Sequence, residues 1–93
     1  MSEVCARVKV SGRVQGVSFR RFTQQQAQAL GVTGWVRNLV DGRVEAMICG
    51  EQSDVERMLT ALRTGPDYAQ VDKLESETLP MQSFHGFIIR YDQ

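Results

Sequence analysis

The sequence has little with which to hold a metal ion. Its single histidine, His85, and its two cysteines, Cys5 and Cys49, are too few and too far apart for a zinc knuckle or ribbon, so no metal site is expected. Charge of one sign is equally scarce. Eleven basic and eleven acidic side chains cancel to a formal net charge of +0, so no long-range positive field gathers nucleic acid or an anionic membrane. An anionic partner must be captured locally. Long apolar runs are missing too: Met1 to Val10 alternates apolar residues with charges, which suits neither a signal peptide nor a spanning helix. The expected location is the cytoplasm.

What is present fits one small domain over residues 1–93. A hydrophobic fraction of 42% and a charged fraction of 24% match ordinary globular chains and exclude disorder or a fibrous repeat. Val4, Ala6, Val8 and Val10 alternate with Cys5, Arg7 and Lys9, the two-residue period of a half-buried strand that ends near Ser11-Gly12. Beyond Gly16 the period becomes helical. Phe19, Phe22, Ala27 and Leu30 share one broad face, Gln24, Gln25 and Gln28 face water, and Gly31 is a favoured stop.

Thr33 to Leu39 and Arg43 to Cys49 read as two strands of a hairpin turned at Val40-Asp41-Gly42. Ser53 with Glu56 suggests a capping box, followed by the apolar stripe Val55, Met58, Leu59 and Leu62 until Gly65-Pro66. Val71 to Thr78 reads as a polar edge strand, and Phe84 to Tyr91 as one more short strand after the Leu79-Pro80 break. The order β-α-β-β-α-β, with a short C-terminal strand, predicts an α+β ferredoxin-like two-layer sandwich. Its expected form is an antiparallel sheet with both helices on one face. In that topology the first two strands run parallel and finish at the same end, so the loops that follow them are neighbours.

The loop after the first strand, Gly12-Arg13-Val14-Gln15-Gly16-Val17-Ser18-Phe19-Arg20, leads into a helix N-terminus. Unpaired amides and the positive end of the helix dipole favour a phosphate there, and Arg20 adds a forked, permanent positive charge. No Gly-Lys-Ser/Thr follows, so this is not a nucleotide P-loop, and the dinucleotide fingerprint lacks its later glycines. The strand end that the topology sets beside this loop reads Gly34-Trp35-Val36-Arg37-Asn38-Leu39-Val40-Asp41-Gly42-Arg43-Val44-Glu45.

Together, Gly12 to Arg20 and Gly34 to Glu45 resemble the two signature segments of acylphosphatases. The likeness extends to the Gly65-Pro66 stop and to Phe87 to Tyr91. The resemblance implies a cytosolic monomer that hydrolyses acyl phosphates to a carboxylate and inorganic phosphate, with no metal, no cofactor and no phosphoenzyme. Carried over residue by residue, it makes Arg20 the phosphate-binding arginine and Asn38 the water-orienting asparagine. The cradle amides are then those of Gln15, Gly16, Val17, Ser18 and Phe19. Ser18 departs mildly from a position that is often bulkier, and Asp92-Gln93 extend past Tyr91. With no base evidently placed to activate it, Ser18 is expected to contact phosphate rather than to attack it.

Other conspicuous residues are expected at the surface: Arg13, Arg21, Arg37 and Arg43, His85, the acids Asp41, Glu45 and Asp54, and a Trp35–Met47 pair on the helix-free face. Pairing Lys9 with Glu45 sets Cys5 against Cys49, a geometry that permits a disulfide. The rival readings are an anion-binding regulatory module, an RNA-binding domain of the same fold, and an accessory domain of a larger enzyme. Neutral charge and the lack of a basic-glycine-aromatic strand motif oppose RNA, and no membrane partner is expected. The acyl group is expected to matter little, because no long substrate loop is legible.

Overall fold

Strand alternation gives the sheet two chemically different faces. The computed structural model describes residues 2–92; Met1 and Gln93, the ends of the expected domain, lie outside the described residues. The chain forms β1 (Glu3–Arg13), α1 (Phe19–Leu30), β2 (Thr33–Asn38) and β3 (Val44–Glu51). It continues with α2 (Gln52–Thr64), β4 (Gln70–Pro80) and β5 (Phe87–Arg90). Ala6, Val8, Val10, Val36, Ala46 and Ile48 point to one face and are buried there beneath Phe19 and Ala27 of α1 and Val55, Met58 and Leu62 of α2. Each fully buried valine, isoleucine, leucine, methionine or phenylalanine of this layer contributes about 1.5–3 kcal/mol relative to exposure.

The strand order is β4-β1-β3-β2-β5. β1 and β2 both lie antiparallel to β3, in the expected register, with Lys9 opposite Glu45 and Trp35 opposite Met47. Their C-terminal ends therefore share one end of the sheet. The expected wholly antiparallel sheet is corrected at one edge, where β5 pairs parallel to β2. The cause is directional: β4 runs against β1 and finishes where β2 begins, so a chain crossing to the far edge can only continue along β2. Gly34 makes the β2–β3 approach possible. At φ 138°, a Cβ on it would stand 1.8 Å from the Met47 carbonyl oxygen.

The capping box expected at Ser53 and Glu56 does not form. β3 passes straight into α2, whose N-cap is Glu51 with no side-chain cap bond, so Ser53 already lies inside the first turn. The Gln52 amide donates instead to the Ser2 carbonyl at 2.9 Å, satisfying one of the free donors of a helix start.

The helix-free face corrects two surface assignments. Met47 is buried in a small cluster with Cys5 and Cys49, against which Trp35, Leu79 and Phe84 pack. Cys5 and Cys49 sit opposite each other with Cα atoms 4.0 Å apart and are joined by a disulfide. Glu45 is only 1% exposed, because Arg7 and Arg37 close over it with contacts of 2.7 and 2.8 Å. Lys9 is its backbone partner but not its ion partner. The longer guanidinium arms reach it from Arg37 opposite on β2 and from Arg7 diagonally on β1. Arg37 and Arg90 also stack on the Trp35 ring, 5.2 and 4.7 Å from its centroid.

Burial opposes ionisation of Glu45, but the hydrogen bonds from Arg7 and Arg37 outweigh it together and hold the carboxyl below the usual range. A lowered folded pKa adds stability that is fully present above the ordinary glutamate value of about 4.3 and disappears as pH falls through the folded value. Glu45→Gln is therefore expected to destabilise the fold by about 2–3 kcal/mol at neutral pH. The gap from wild type should shrink at pH 3. Urea unfolding at the two pH values checks this, and a gap independent of pH contradicts it.

Candidate active site

The loop between β1 and α1 has a backbone that few residues adopt. Gly16 takes φ 75° and Ser18 φ 62°, the latter being the sole positive φ outside glycine among the described residues. A left-handed Ser requires about 1–2 kcal/mol of compensation from its surroundings. Ser18 stands at the N-cap of α1 without a side-chain cap bond, while its carbonyl accepts from the Phe22 amide at 3.0 Å. Among the described residues, no carbonyl accepts from the amides of Gln15 to Phe19. A concave run of free amides at a helix start is an anion-binding shape.

Two side chains converge on this loop from different elements. Arg20, on the first turn of α1, and Asn38, the last residue of β2, line one cleft of about 600 Å³ together with Gly16 and Ser18. The described ion pairs involve Arg7, Arg37, Arg43, Arg57, Lys73 and Arg90 but not Arg20. Its guanidinium instead stacks on the Tyr91 ring, 4.9 Å from the centroid, which restrains the arm and leaves its forked donors for a ligand. No buried side-chain polar atom among the described residues lacks a partner. The cleft-lining amide of Asn38 therefore carries no hidden desolvation debt.

Gln15 couples the loop to the hairpin turn that follows Asn38. Its side-chain Nε2 donates to the carbonyls of Leu39 at 2.8 Å and Arg43 at 2.9 Å, the two residues that close the β2–β3 hairpin through the Leu39 amide and Arg43 carbonyl at 2.8 Å. On the other side, Gln24 Nε2 donates to the Phe87 carbonyl at 3.1 Å. That bond ties α1 to β5 and so to the segment carrying Tyr91. Gln24 was expected to face water; its half-buried position against β5 accounts for the difference.

The profile of the family described as Acylphosphatase matches residues 6–89. The chain belongs to the acylphosphatase family. An acylphosphatase of Pseudomonas paraeruginosa is 48% identical over 90 residues, covering 97% of this chain and 99% of that protein. Among solved structures, an acylphosphatase from Coxiella burnetii superposes with a TM-score of 0.91 at 39% identity, over 95% of this chain and 93% of that one. Another from Bacillus subtilis gives 0.92 at 34% identity, over 95% and 99%.

Within this acylphosphatase chain, the structure brings Arg20, Asn38, Gly16, Ser18 and Phe19 to one cleft, with Gln15 and Val17 in the same loop but outside its lining, and leaves other residues away from it. Arg37 and Arg43 bind carboxylates of their own, Glu45 and Asp41, and His85 is exposed on the segment before β5. Among the described residues, no three His, Cys, Asp or Glu side chains gather into a metal-holding group. The residues that sequence reasoning missed are the Gln15 side chain, Gln24 and Tyr91. No local pattern marks any of the three, because their partners Leu39 and Arg43, Phe87 and Arg20 are distant in sequence.

Proposed function

We propose that this chain hydrolyses acyl phosphates as a single domain, with Arg20 and the amides of Gln15 to Phe19 holding the phosphoryl oxygens and Asn38 holding the attacking water. The carrying observation is a guanidinium without a carboxylate partner, set beside free amides in the cleft that Asn38 also lines. The Asn38 carbonyl oxygen accepts from the water and its N–H donates to a phosphoryl oxygen, so one side chain fixes both reactants. Water oxygen bonds to phosphorus as the bond from phosphorus to the acyl oxygen breaks. The electron pair leaves on the carboxylate, and the water proton passes to a phosphate oxygen or to solvent. Because a carboxylate leaves easily, no strong general base is needed; positioning and neutralisation of charge are sufficient.

The same proposal makes the enzyme a cytoplasmic monomer that needs no metal or cofactor, with no nucleic-acid or membrane partner. Its support is the family and the balanced charge. No helix among the described residues is long and apolar enough to cross a membrane. Turnover of acetyl phosphate is expected to persist in excess chelator, with inorganic phosphate as a competitive inhibitor. Phosphate binding without turnover would instead identify an anion sensor.

Gln15 enters this proposal as a positioning residue. Gln15→Leu removes two hydrogen bonds but leaves each acceptor carbonyl one backbone partner, so a stability loss of about 1–3 kcal/mol is expected. Turnover should fall more steeply, by at least about tenfold, since a displacement near 1 Å is enough to lose that much. Parallel urea unfolding and steady-state kinetics check the pair of outcomes. Full activity in a destabilised variant would reduce Gln15 to a purely structural role.

A further inference from the structure

The cleft is larger than a phosphate cradle. At about 600 Å³ it falls within the range of sites that enclose a whole small molecule, and it continues from Arg20 along α1. Arg21, Gln24, Gln25 and Gln28 all line it. Their spacing of i, i+3, i+4 and i+7 forms one stripe over two helical turns. Indifference to the acyl group is what the lack of a long loop predicts, but the helix itself supplies a second wall.

The chemistry of that wall is one-sided. Among the described residues lining the cleft there is no carboxylate, whereas two arginines, Arg20 and Arg21, line it. Arg21, like Arg20, has no partner among the described ion pairs. The Gln24 amide nitrogen is already committed to the Phe87 carbonyl, while Gln25 and Gln28 are exposed and present amides that donate as well as accept. Arg20 is engaged by the phosphoryl group in the proposed reaction, so Arg21 remains as a second cation beside the place where the acyl arm must lie.

We propose that this stripe is an acyl-arm subsite that selects acyl phosphates bearing a second carboxylate at the far end of a short chain, with Arg21 as its charge partner. This rests on the acyl phosphate hydrolysis proposed above. Arg21 acts on specificity and takes no part in bond breaking. Because it stands at the mouth of an open cleft, the expected selectivity is about 3- to 10-fold, the scale of a partly screened charged contact.

The test compares kcat/KM for adipoyl monophosphate and hexanoyl phosphate at fixed ionic strength, with spontaneous hydrolysis subtracted. The two share a six-carbon chain and differ in the terminal carboxylate. Wild type should favour the adipoyl compound by the stated factor. Arg21→Gln should bring the ratio towards one, and Gln28→Glu should lower it by adding a repelling charge to the same stripe. Taking the ratio cancels any effect either variant has on phosphate capture. A wild-type ratio near or below one, or a preference that survives Arg21→Gln, overturns the subsite. Hydrolysis of neither compound overturns the reaction itself, an outcome distinct from loss of selectivity.

Discussion

Arg20→Ala is expected to lower kcat/KM for acyl phosphate hydrolysis by at least about 10²- to 10³-fold and to weaken binding of inorganic phosphate at the same time. The scale is that of removing one preorganised donor from a charge-stabilising site, and here the deleted group also carries a full charge. Both losses follow from one fact of the structure: Arg20 has no competing carboxylate among the described ion pairs, so its charge is available to phosphate before and during reaction. Arg20→Lys should recover only part of the activity, since an ammonium lacks the planar fork and the flat stacking surface that Tyr91 meets at 4.9 Å. Steady-state kinetics with calorimetric titration of phosphate provide the measurement. Loss of turnover with unchanged phosphate affinity would remove Arg20 from the cradle.

Asn38→Ala should separate what Arg20→Ala joins. Turnover is expected to fall by about 10²- to 10³-fold, while inorganic phosphate still binds within about threefold of wild type, because the cradle of Arg20 and loop amides is intact. The fold should tolerate the change. Asn38 ends β2 and lines the cleft, and its side chain takes part in no hydrogen bond among the described residues, so truncation orphans no partner there. A variant with near-normal turnover would end the assignment of Asn38 as the group that holds the water. Measured together, the two substitutions distinguish capture of the phosphoryl group from delivery of the nucleophile.

The sequence by itself determined the elements and the shared end of β1 and β2 at which the proposed site lies. Period-two alternation in Val4 to Val10 and the helical stripe of Val55, Met58 and Leu62 encode burial directly, because side-chain direction in regular structure follows from backbone geometry alone. The β-α-β-β order then obliges β1 and β2 to finish together, which sets Arg20 and Asn38, paired by the resemblance to acylphosphatases, at one end of the sheet.

What only the tertiary structure decided depends on side chains whose partners are distant in sequence. Gln15 meets Leu39 and Arg43 across 24 and 28 positions, and no local pattern marks a glutamine as a bridge. Glu45 reads as a surface acid on its own strand and becomes buried because Arg7 and Arg37 arrive from the two strands flanking β3. The parallel placement of β5 came from a crossover whose direction is set by where β4 ends. That placement put Tyr91 over Arg20 and turned a run of glutamines on α1 from an apparent solvent face into the wall of a cleft.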